Sequence, residues 1–221
     1  EIIRSLNVDA YRFSISWARV IKSDGTLNHQ GIGFYHKLLD RLNQYHIKPF
    51  VTFYHWDLPQ SIQDYGGWLN RDTASHFRDY VYLVSRSFKD KVYSYATINE
   101  PYCSAHLGYE TGAHAPGITA KQYSKKVAHH LLLAHGLGMQ VLQITSPQSK
   151  NGIVLNVSPT YPATSSIDDA KAAMLADQEI NHWYLKPILE GRYPDLLNNL
   201  AEQHRPDVHQ HDMGIISTAI D

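Results

Sequence analysis

The sequence predicts an α/β protein whose short strands are parallel and are separated by long helices. Two observations support this class: short β-branched and aromatic runs recur along the 221 residues, and longer runs with apolar residues at helical spacing lie between them. The third is composition, because 43% hydrophobic and 19% charged residues are typical of a globular protein with a substantial core. Strands that alternate with helices favour βαβ units and hence a parallel sheet.

Four strands and four helices are predicted in alternating order. The strands are expected at residues 10–16, 49–54, 92–98 and 151–157. The helices are expected at residues 31–46, 73–89, 123–144 and 168–190. Residues 72–73 (Asp-Thr) and 168–169 (Asp-Asp) are expected to supply N-caps and acidic first turns for two of these helices.

Each of the first three strands ends in a cluster of aromatic or polar residues. The clusters are residues 16–17 (Ser-Trp), 55–57 (His-Trp-Asp) and 99–101 (Asn-Glu-Pro). In a (β/α)8 barrel the carboxyl ends of the strands form one face, which holds the active site. Three such clusters favour a barrel enzyme, and four βα units are about half of one. We therefore expect residues 1–221 to form a single, partial TIM-barrel catalytic domain.

Both ends of the chain suggest truncation. The first residue is Glu1 rather than Met, and residues 1–6 resemble the tail of a helix that is already under way. Residues 213–221 resemble the approach to another strand. Neither end has the polar, Gly- and Ser-rich character of a domain boundary, so we expect further chain on both sides.

Composition argues against several classes of partner and cofactor. The 20 Lys and Arg residues balance 21 Asp and Glu residues, which gives no electrostatic reason to expect a nucleic acid or a membrane as partner. The single cysteine, Cys103, cannot form an internal disulfide, which favours a reducing compartment such as the cytoplasm. No cofactor is expected, and no metal site, because no carboxylate or cysteine pattern accompanies the histidines near residues 204–211.

Other histidines and the cysteine have simple structural interpretations. His129, His130 and His135 lie in a leucine-rich helical pattern and are expected to be packing or surface residues. Cys103 is expected to be buried, since nothing nearby forms a thiol–base pair.

Arg12 lies in the first strand, where alternation places it on the face opposite Tyr11, Phe13 and Ile15. The apolar face is expected to meet the helices, so Arg12 is expected to point into the barrel. A buried arginine needs a carboxylate partner to offset its desolvation. That partner is either a structural acid or a catalytic carboxylate that Arg12 keeps ionised, and the two readings are about equally supported.

The second cluster, His55-Trp56-Asp57, combines an imidazole, an indole and a carboxylate at a strand end. Sugars present apolar C–H faces and many hydroxyl groups, so a sugar site needs aromatic plates and polar side chains. An ordinary strand-end turn before Pro59 is the alternative, and the position at a strand end favours binding.

Residues 97–101 (Thr-Ile-Asn-Glu-Pro) suit general acid catalysis. Glycosidic cleavage needs protonation of a poor leaving group, and Glu100 at a strand end could provide it. Asn99 could donate to the sugar 2-hydroxyl. Adjacent side chains of a regular strand face opposite ways, so both can serve one site only where the pleat breaks.

The ordered set of motifs resembles glycoside hydrolase family 1. The resemblance is carried by residues 11–17, 51–59, 66–68 (Gly-Gly-Trp), 97–101, 108–117, 123–135 and 191–194 (Gly-Arg-Tyr-Pro). It implies a partial (β/α)8 barrel covering about strands two to five, and a retaining β-glucosidase-like enzyme. By this resemblance Glu100 is the acid/base and Asn99 the ligand of the 2-hydroxyl. His55 and Trp56 are ligands of the same sugar, Tyr102 faces the aglycone and Arg12 supports the nucleophile.

The family's nucleophile segment, Thr-Glu-Asn-Gly, is absent from the 221 residues. The implied substrate is a β-glucoside or a short β-linked oligosaccharide, and the oligomeric state is left open. Two alternatives remain: a 6-phospho-β-glucosidase of the same family, and a non-catalytic half-barrel that binds sugar. With one catalytic carboxylate and open sheet edges, the isolated chain is expected to be inactive and prone to aggregation.

Overall fold

The computed structural model describes residues 2–221, so Glu1 of the predicted helix tail lies outside the described part. The strands are β1 (Ala10–Ser14), β2 (Lys48–Tyr54), β3 (Ser94–Asn99) and β4 (Lys150–Val154). The α-helices are α1 (Ile2–Ser5), α2 (Trp17–Val20), α3 (His29–Gln44), α4 (Gln60–Asp64), α5 (Asp72–Phe88), α6 (Lys121–Thr145), α7 (Ile167–Asp177), α8 (Trp183–Glu190), α9 (Leu196–Asn199) and α10 (Asp212–Ile216). Short 3-10 turns occupy Gly67–Leu69, Lys89–Lys91 and Glu202–His204, and π-helical stretches occupy Cys103–Leu107 and Gln178–His182.

The four strands form one parallel sheet in the order β1-β2-β3-β4. Long helices separate them along the chain, so the predicted α/β alternation is confirmed. In register, Ser14 lies beside Thr52, Thr52 beside Ala96, and Ala96 beside Gly152. These positions share one face of the sheet with Arg12, and we call it the polar face. The opposite side is the helix face.

The described residues form two compact units. The first comprises residues 2–99, 134–154 and 219–221 and contains the whole sheet. The second comprises residues 100–133 and 155–218. Helix α6 contributes residues 121–133 to the second unit and the remainder to the first.

The largest fully buried side chains of the first unit are mostly aromatic. Trp17 stacks on Tyr80 with ring centroids 4.8 Å apart, and Phe53 stacks on Tyr95 at 5.1 Å. The Tyr80 hydroxyl approaches the backbone carbonyls of Ile15 at 3.3 Å and of Phe53 at 3.0 Å. Since Tyr80 is 1% exposed, its hydroxyl satisfies carbonyls that water cannot reach. This contact ties α5 to the carboxyl ends of β1 and β2, where the candidate site residues lie.

The ends of several elements differ from the prediction; β4, for example, ends at Val154 rather than at residue 157. Strand β1 ends at Ser14 rather than residue 16, because α2 begins at Trp17 and the Ser16 N–H donates to the Tyr35 hydroxyl at 2.8 Å. The predicted caps are wrong: the N-caps are Arg71 and Ser166, and the acidic residues lie inside the first turns. The helix predicted at 168–190 is α7 and α8 joined by a π-helical stretch.

A buried polar cluster in the second unit links α10 to α6. His129 is fully buried, with Nε2 2.9 Å from Asp212 Oδ2 and Nδ1 2.8 Å from the Tyr193 hydroxyl. Asp212 also accepts from the backbone N–H of His209 at 2.8 Å. His129 is therefore an interior residue with polar partners, in line with the expected packing role.

Helix α6 is the longest, with 25 residues. Across residues 2–221, no helix combines the length and the apolar character that crossing a bilayer requires.

Candidate active site

Arg12 projects from β1 onto the polar face and contacts two neighbouring strands. Its Nε donates to Thr52 Oγ1 at 3.1 Å, and its Nη2 donates to Asn99 Oδ1 at 2.6 Å. Within residues 2–221 Arg12 is exposed rather than buried as predicted, and these two acceptors are a hydroxyl and an amide.

Asn99 reaches the polar face because β3 contains an irregularity. Ala96 lies beside Gly152 and Asn99 beside Val154, so two β3 residues, Thr97 and Ile98, lie opposite a single residue of β4. This is the pattern of a β-bulge, which shifts the alternation of side chains by one position. Without it Asn99 would share the face of Thr97; with it the Asn99 amide meets Arg12. The break in the pleat that the sequence analysis required therefore lies inside β3.

The segment after β2 carries His55 and Trp56. Their rings make an edge contact with centroids 5.1 Å apart, and His55 is exposed. The Trp56 Nε1 donates to the backbone carbonyl of Asn99 at 2.8 Å. Trp56 has φ 79°, a left-handed conformation that is rare for a bulky residue and is found where the surrounding structure imposes it. The structure therefore brings Arg12, Asn99 and Trp56 into one connected group.

Asp57 is the half-buried carboxylate that follows Trp56. Burial raises the pKa of Asp57 above its ordinary value, and a hydrogen bond from the Ser16 side chain partly offsets this increase. The Ser16–Asp57 contact joins the first two predicted strand-end clusters.

Glu100 is the first residue of the second unit and follows Asn99 directly along the chain. It also adopts a left-handed conformation, with φ 47°. Pro101 follows and begins a helical segment, a position that suits proline because its missing N–H would have no helical partner. Two of the strand-end residues with predicted roles, Trp56 and Glu100, thus have backbone conformations that cost energy and accompany functional sites.

Cys103 contacts Glu100 one helical turn away. Its Sγ lies 3.3 Å from Glu100 Oε2, and Asn156 Nδ2 approaches the same sulfur at 3.8 Å. Burial, followed by the neighbouring Glu100, raises the pKa of Cys103 to about 11, so the thiol is a proton donor rather than a nucleophile. The predicted burial of Cys103 is confirmed.

Tyr102 is half-buried and stacks on His106, with ring centroids 4.9 Å apart. Burial raises its pKa, and so does the nearby carboxylate of Glu110. Tyr184 meets the Tyr102 ring edge-on at 6.2 Å.

Sequence reasoning missed the contact of Cys103 with Glu100 and the contact of Ser16 with Asp57. A signal for the first was available, since Pro101 indicates a helix start and residues 100 and 103 then lie one turn apart. The two left-handed residues had no such signal, because glycine and asparagine are the usual markers of that conformation. For residues 2–221, no group of three or more potential metal-binding side chains is found.

Comparison with known proteins identifies the same family along the whole chain. The family model described as Glycosyl hydrolase family 1 matches residues 1–221. Beta-glucosidase A of Acetivibrio thermocellus is 39% identical over 224 residues, which cover 100% of this chain and 50% of that protein. The chain thus spans about half the length of the curated relatives it matches.

Solved structures agree closely with the architecture. The AHE enzyme from Alicyclobacillus herbarius has a TM-score of 0.95 and 42% identity, over 100% of this chain and 51% of that one. The virulence factor SghA from Agrobacterium tumefaciens, solved with its substrate analog salicin, has a TM-score of 0.96 and 37% identity, over 100% of this chain and 49% of that one. Together with the four parallel strands, these matches confirm the predicted fold class, a partial (β/α)8 barrel.

Proposed function

The chain belongs to glycosyl hydrolase family 1, and we propose that the protein encoded by its complete reading frame is a retaining β-glucosidase. The observation that carries the proposal is the sequence Asn99-Glu100 at the end of β3. There the bulge turns the Asn99 amide toward Arg12, and Glu100 follows in a left-handed conformation. We also propose that residues 1–221 are part of one barrel domain.

Glu100 is the acid/base of the proposed reaction. In a retaining glycosidase two carboxyl groups about 5–5.5 Å apart act in turn, and the second attacks the anomeric carbon. Glu100 gives a proton to the departing glycosidic oxygen as the nucleophile forms the glycosyl–enzyme bond. It then takes a proton from the water that breaks this bond, which returns both carboxyl groups to their starting states. The nucleophile comes from outside residues 1–221.

Asn99 is the proposed donor to the sugar 2-hydroxyl. Its Oδ1 accepts from Arg12, so the amide orientation is fixed and Nδ2 is the group that can donate to a ligand. A hydrogen bond to the 2-hydroxyl that strengthens in the transition state accelerates the reaction. Arg12, besides orienting Asn99, is proposed to support the nucleophile.

His55 and Trp56 are proposed to bind the same sugar, through the imidazole nitrogens and the apolar face of the indole. Tyr102 is proposed to contact the aglycone. The substrate class is a β-glucoside or a short β-linked oligosaccharide, which is supported by the named β-glucosidase relative and by the salicin complex of SghA. A cytoplasmic location remains a prediction from the single cysteine.

The proposal is tested by incubating the protein from the complete reading frame with p-nitrophenyl β-glucoside and following the product by NMR. The expected first product is β-glucose, since two successive inversions retain configuration. Formation of α-glucose would contradict the double displacement. Hydrolysis of the 6-phosphate alone would instead identify a phospho-β-glucosidase, and sugar binding without hydrolysis would identify a non-catalytic protein.

Replacement of Glu100 by Gln tests its assignment. We expect the variant to lose roughly 100-fold or more in kcat/KM with a poor leaving group such as an alkyl alcohol, because the proton donor is absent. With 2,4-dinitrophenolate, which leaves without a proton, the loss is expected to be about tenfold or less. Glu190→Gln is the matched control, since Glu190 pairs with Arg192 and is 44% exposed. Equal losses with both leaving groups would remove the acid role from Glu100.

A further inference from the structure

Thr97 and His135 form a buried polar pair beside the bulge in β3. His135 lies on α6, and its Nδ1 is 2.7 Å from Thr97 Oγ1. The same hydroxyl lies 3.2 Å from the backbone carbonyl of Gly152 on β4. Thr97 and His135 are both 0% exposed. All three residues belong to the first unit.

The number of available protons fixes the direction of these hydrogen bonds. A carbonyl can only accept, so the Thr97 hydroxyl must use its one proton on Gly152 if both contacts are hydrogen bonds. Thr97 Oγ1 then accepts from His135, which requires a neutral ring that carries its proton on Nδ1. The Nε2 atom, which has no recorded partner among the described residues, is then a bare acceptor rather than a buried N–H.

The pair lies at the bulge, where the side-chain alternation of β3 shifts by one position. Gly152 is the last β4 residue in register before the shift, and Thr97 is the first residue of the bulge. The Thr97 hydroxyl therefore bridges β3 to β4 where the regular register ends, and His135 fixes the rotamer of that hydroxyl. Two residues further along, Asn99 emerges on the polar face and bonds to Arg12.

We propose that Thr97 and His135 are positioning residues that hold the bulge in β3 and so aim the Asn99 amide at the sugar 2-hydroxyl. The inference rests on the proposed function, since it assigns the pair a role in glucoside hydrolysis. Neither residue touches the substrate. Their effect reaches the reaction only through Asn99, so it depends on the presence of a 2-hydroxyl.

Burial keeps His135 neutral while the pair acts. Burial alone lowers the pKa of His135 to about 3, so the ring does not become charged in the neutral range. A neutral ring with its proton on Nδ1 can donate to the Thr97 oxygen while the Thr97 hydroxyl donates to Gly152.

The experiment compares kcat/KM for p-nitrophenyl β-glucoside and for its 2-deoxy analogue, using the protein from the complete reading frame. The ratio of the two values does not depend on how much of a variant folds. Asn99→Ala is the reference for loss of the 2-hydroxyl contact. We expect Thr97→Val and His135→Leu to lower the ratio about tenfold, the effect of a misplaced hydrogen bond in the transition state.

Conservative variants provide the matched controls. Thr97→Ser keeps the hydroxyl, and His135→Asn places an amide N–H near the position of Nδ1, so both are expected to keep the ratio within about twofold. If Thr97→Val and His135→Leu reduce both substrates equally, the pair is merely structural and the inference is wrong. If the unaltered protein hydrolyses no β-glucoside, the proposed function itself fails, and this inference fails with it.

A second measurement reads the tautomer directly. Nitrogen-15 NMR of histidine-labelled protein is expected to assign the His135 proton to Nδ1, with the assignment made by its loss in His135→Asn. A proton on Nε2 would mean that Thr97 donates to His135 instead of Gly152, and the proposed bridge across the bulge would be overturned.

Discussion

At the scale of single residues, the burial of His135 makes the stability of the folded protein depend on pH in the acidic range. Its pKa is lowered from 6.5 to about 3 by burial, whereas the unfolded chain keeps the ordinary value. Below pH 6.5 the unfolded state therefore binds a proton that the folded state does not. The stability contributed by neutral His135 is fully present above that pH and is lost as the pH falls toward 3, by about 1.4 kcal/mol per pH unit.

Replacement of His135 by Asn should remove this titration and keep the contact with Thr97. We expect the free energy of unfolding of the variant, relative to the unaltered protein, to be constant above pH 7 and to improve steadily from pH 6.5 downward. Urea unfolding at pH 7.5, 6.0 and 5.0 measures the difference. Parallel pH dependence of the two proteins would show that His135 does not become charged on unfolding.

The sequence predicted the sheet face on which Arg12 lies better than it predicted the surroundings of Arg12. Alternation placed Arg12 on the polar face correctly, but the depth of burial depends on what covers that face, and a strand pattern carries no such information. Likewise nothing in the composition of residues 97–101 indicates a bulge, because the extra residue is visible only against the register of β4.

At the scale of elements, the contact of α5 with the ends of β1 and β2 depends on one hydroxyl. Tyr80→Phe removes the donor shared by the carbonyls of Ile15 and Phe53 and leaves both buried. We expect a loss of about 1–3 kcal/mol in the free energy of unfolding. Tyr65→Phe is the control, because Tyr65 is 81% exposed and the variant should change stability by less than about 0.5 kcal/mol. Equal effects in urea titrations would show that the Tyr80 hydroxyl contributes nothing beyond packing.

The four strands and the long helices were predictable because apolar periodicity reports directly which face of an element is buried. Helix ends and irregular turns were not. Ser166 caps α7 with its side chain on the Asp169 N–H, and a pattern of apolar residues does not distinguish this serine from the aspartates after it. The π-helical stretch Gln178–His182 changes the hydrogen-bond spacing but keeps the helical appearance of the sequence.

At the scale of the whole molecule, residues 1–221 supply one of the two carboxyl groups that the proposed mechanism uses. A polypeptide of these residues alone should therefore show no measurable hydrolysis of p-nitrophenyl β-glucoside, while the product of the complete reading frame should be active. Since β1 and β4 are the outer strands of the sheet, we also expect the isolated polypeptide to associate during size-exclusion chromatography. Turnover by the 221 residues would require a different pair of catalytic groups.

The family was identifiable from sequence because its motifs occur in order over nearly the whole chain. The match of the family model to residues 1–221 confirms that reading. The division into two compact units was not foreseen, and the first of its four boundaries, between Asn99 and Glu100, lies inside the motif that carried the assignment.

The bulge in β3 also determines how this strand tolerates changes in length. Side chains along a strand point alternately to its two faces. The single extra residue between Ala96 and Asn99 shifts this alternation by one position. If either Thr97 or Ile98 were deleted, Asn99 would stand two positions after Ala96, and regular alternation alone would bring the Asn99 amide to the polar face. A change of two residues in this segment would leave the count odd, so Asn99 would still need a bulge to reach the polar face, whereas a change of one residue would remove that need.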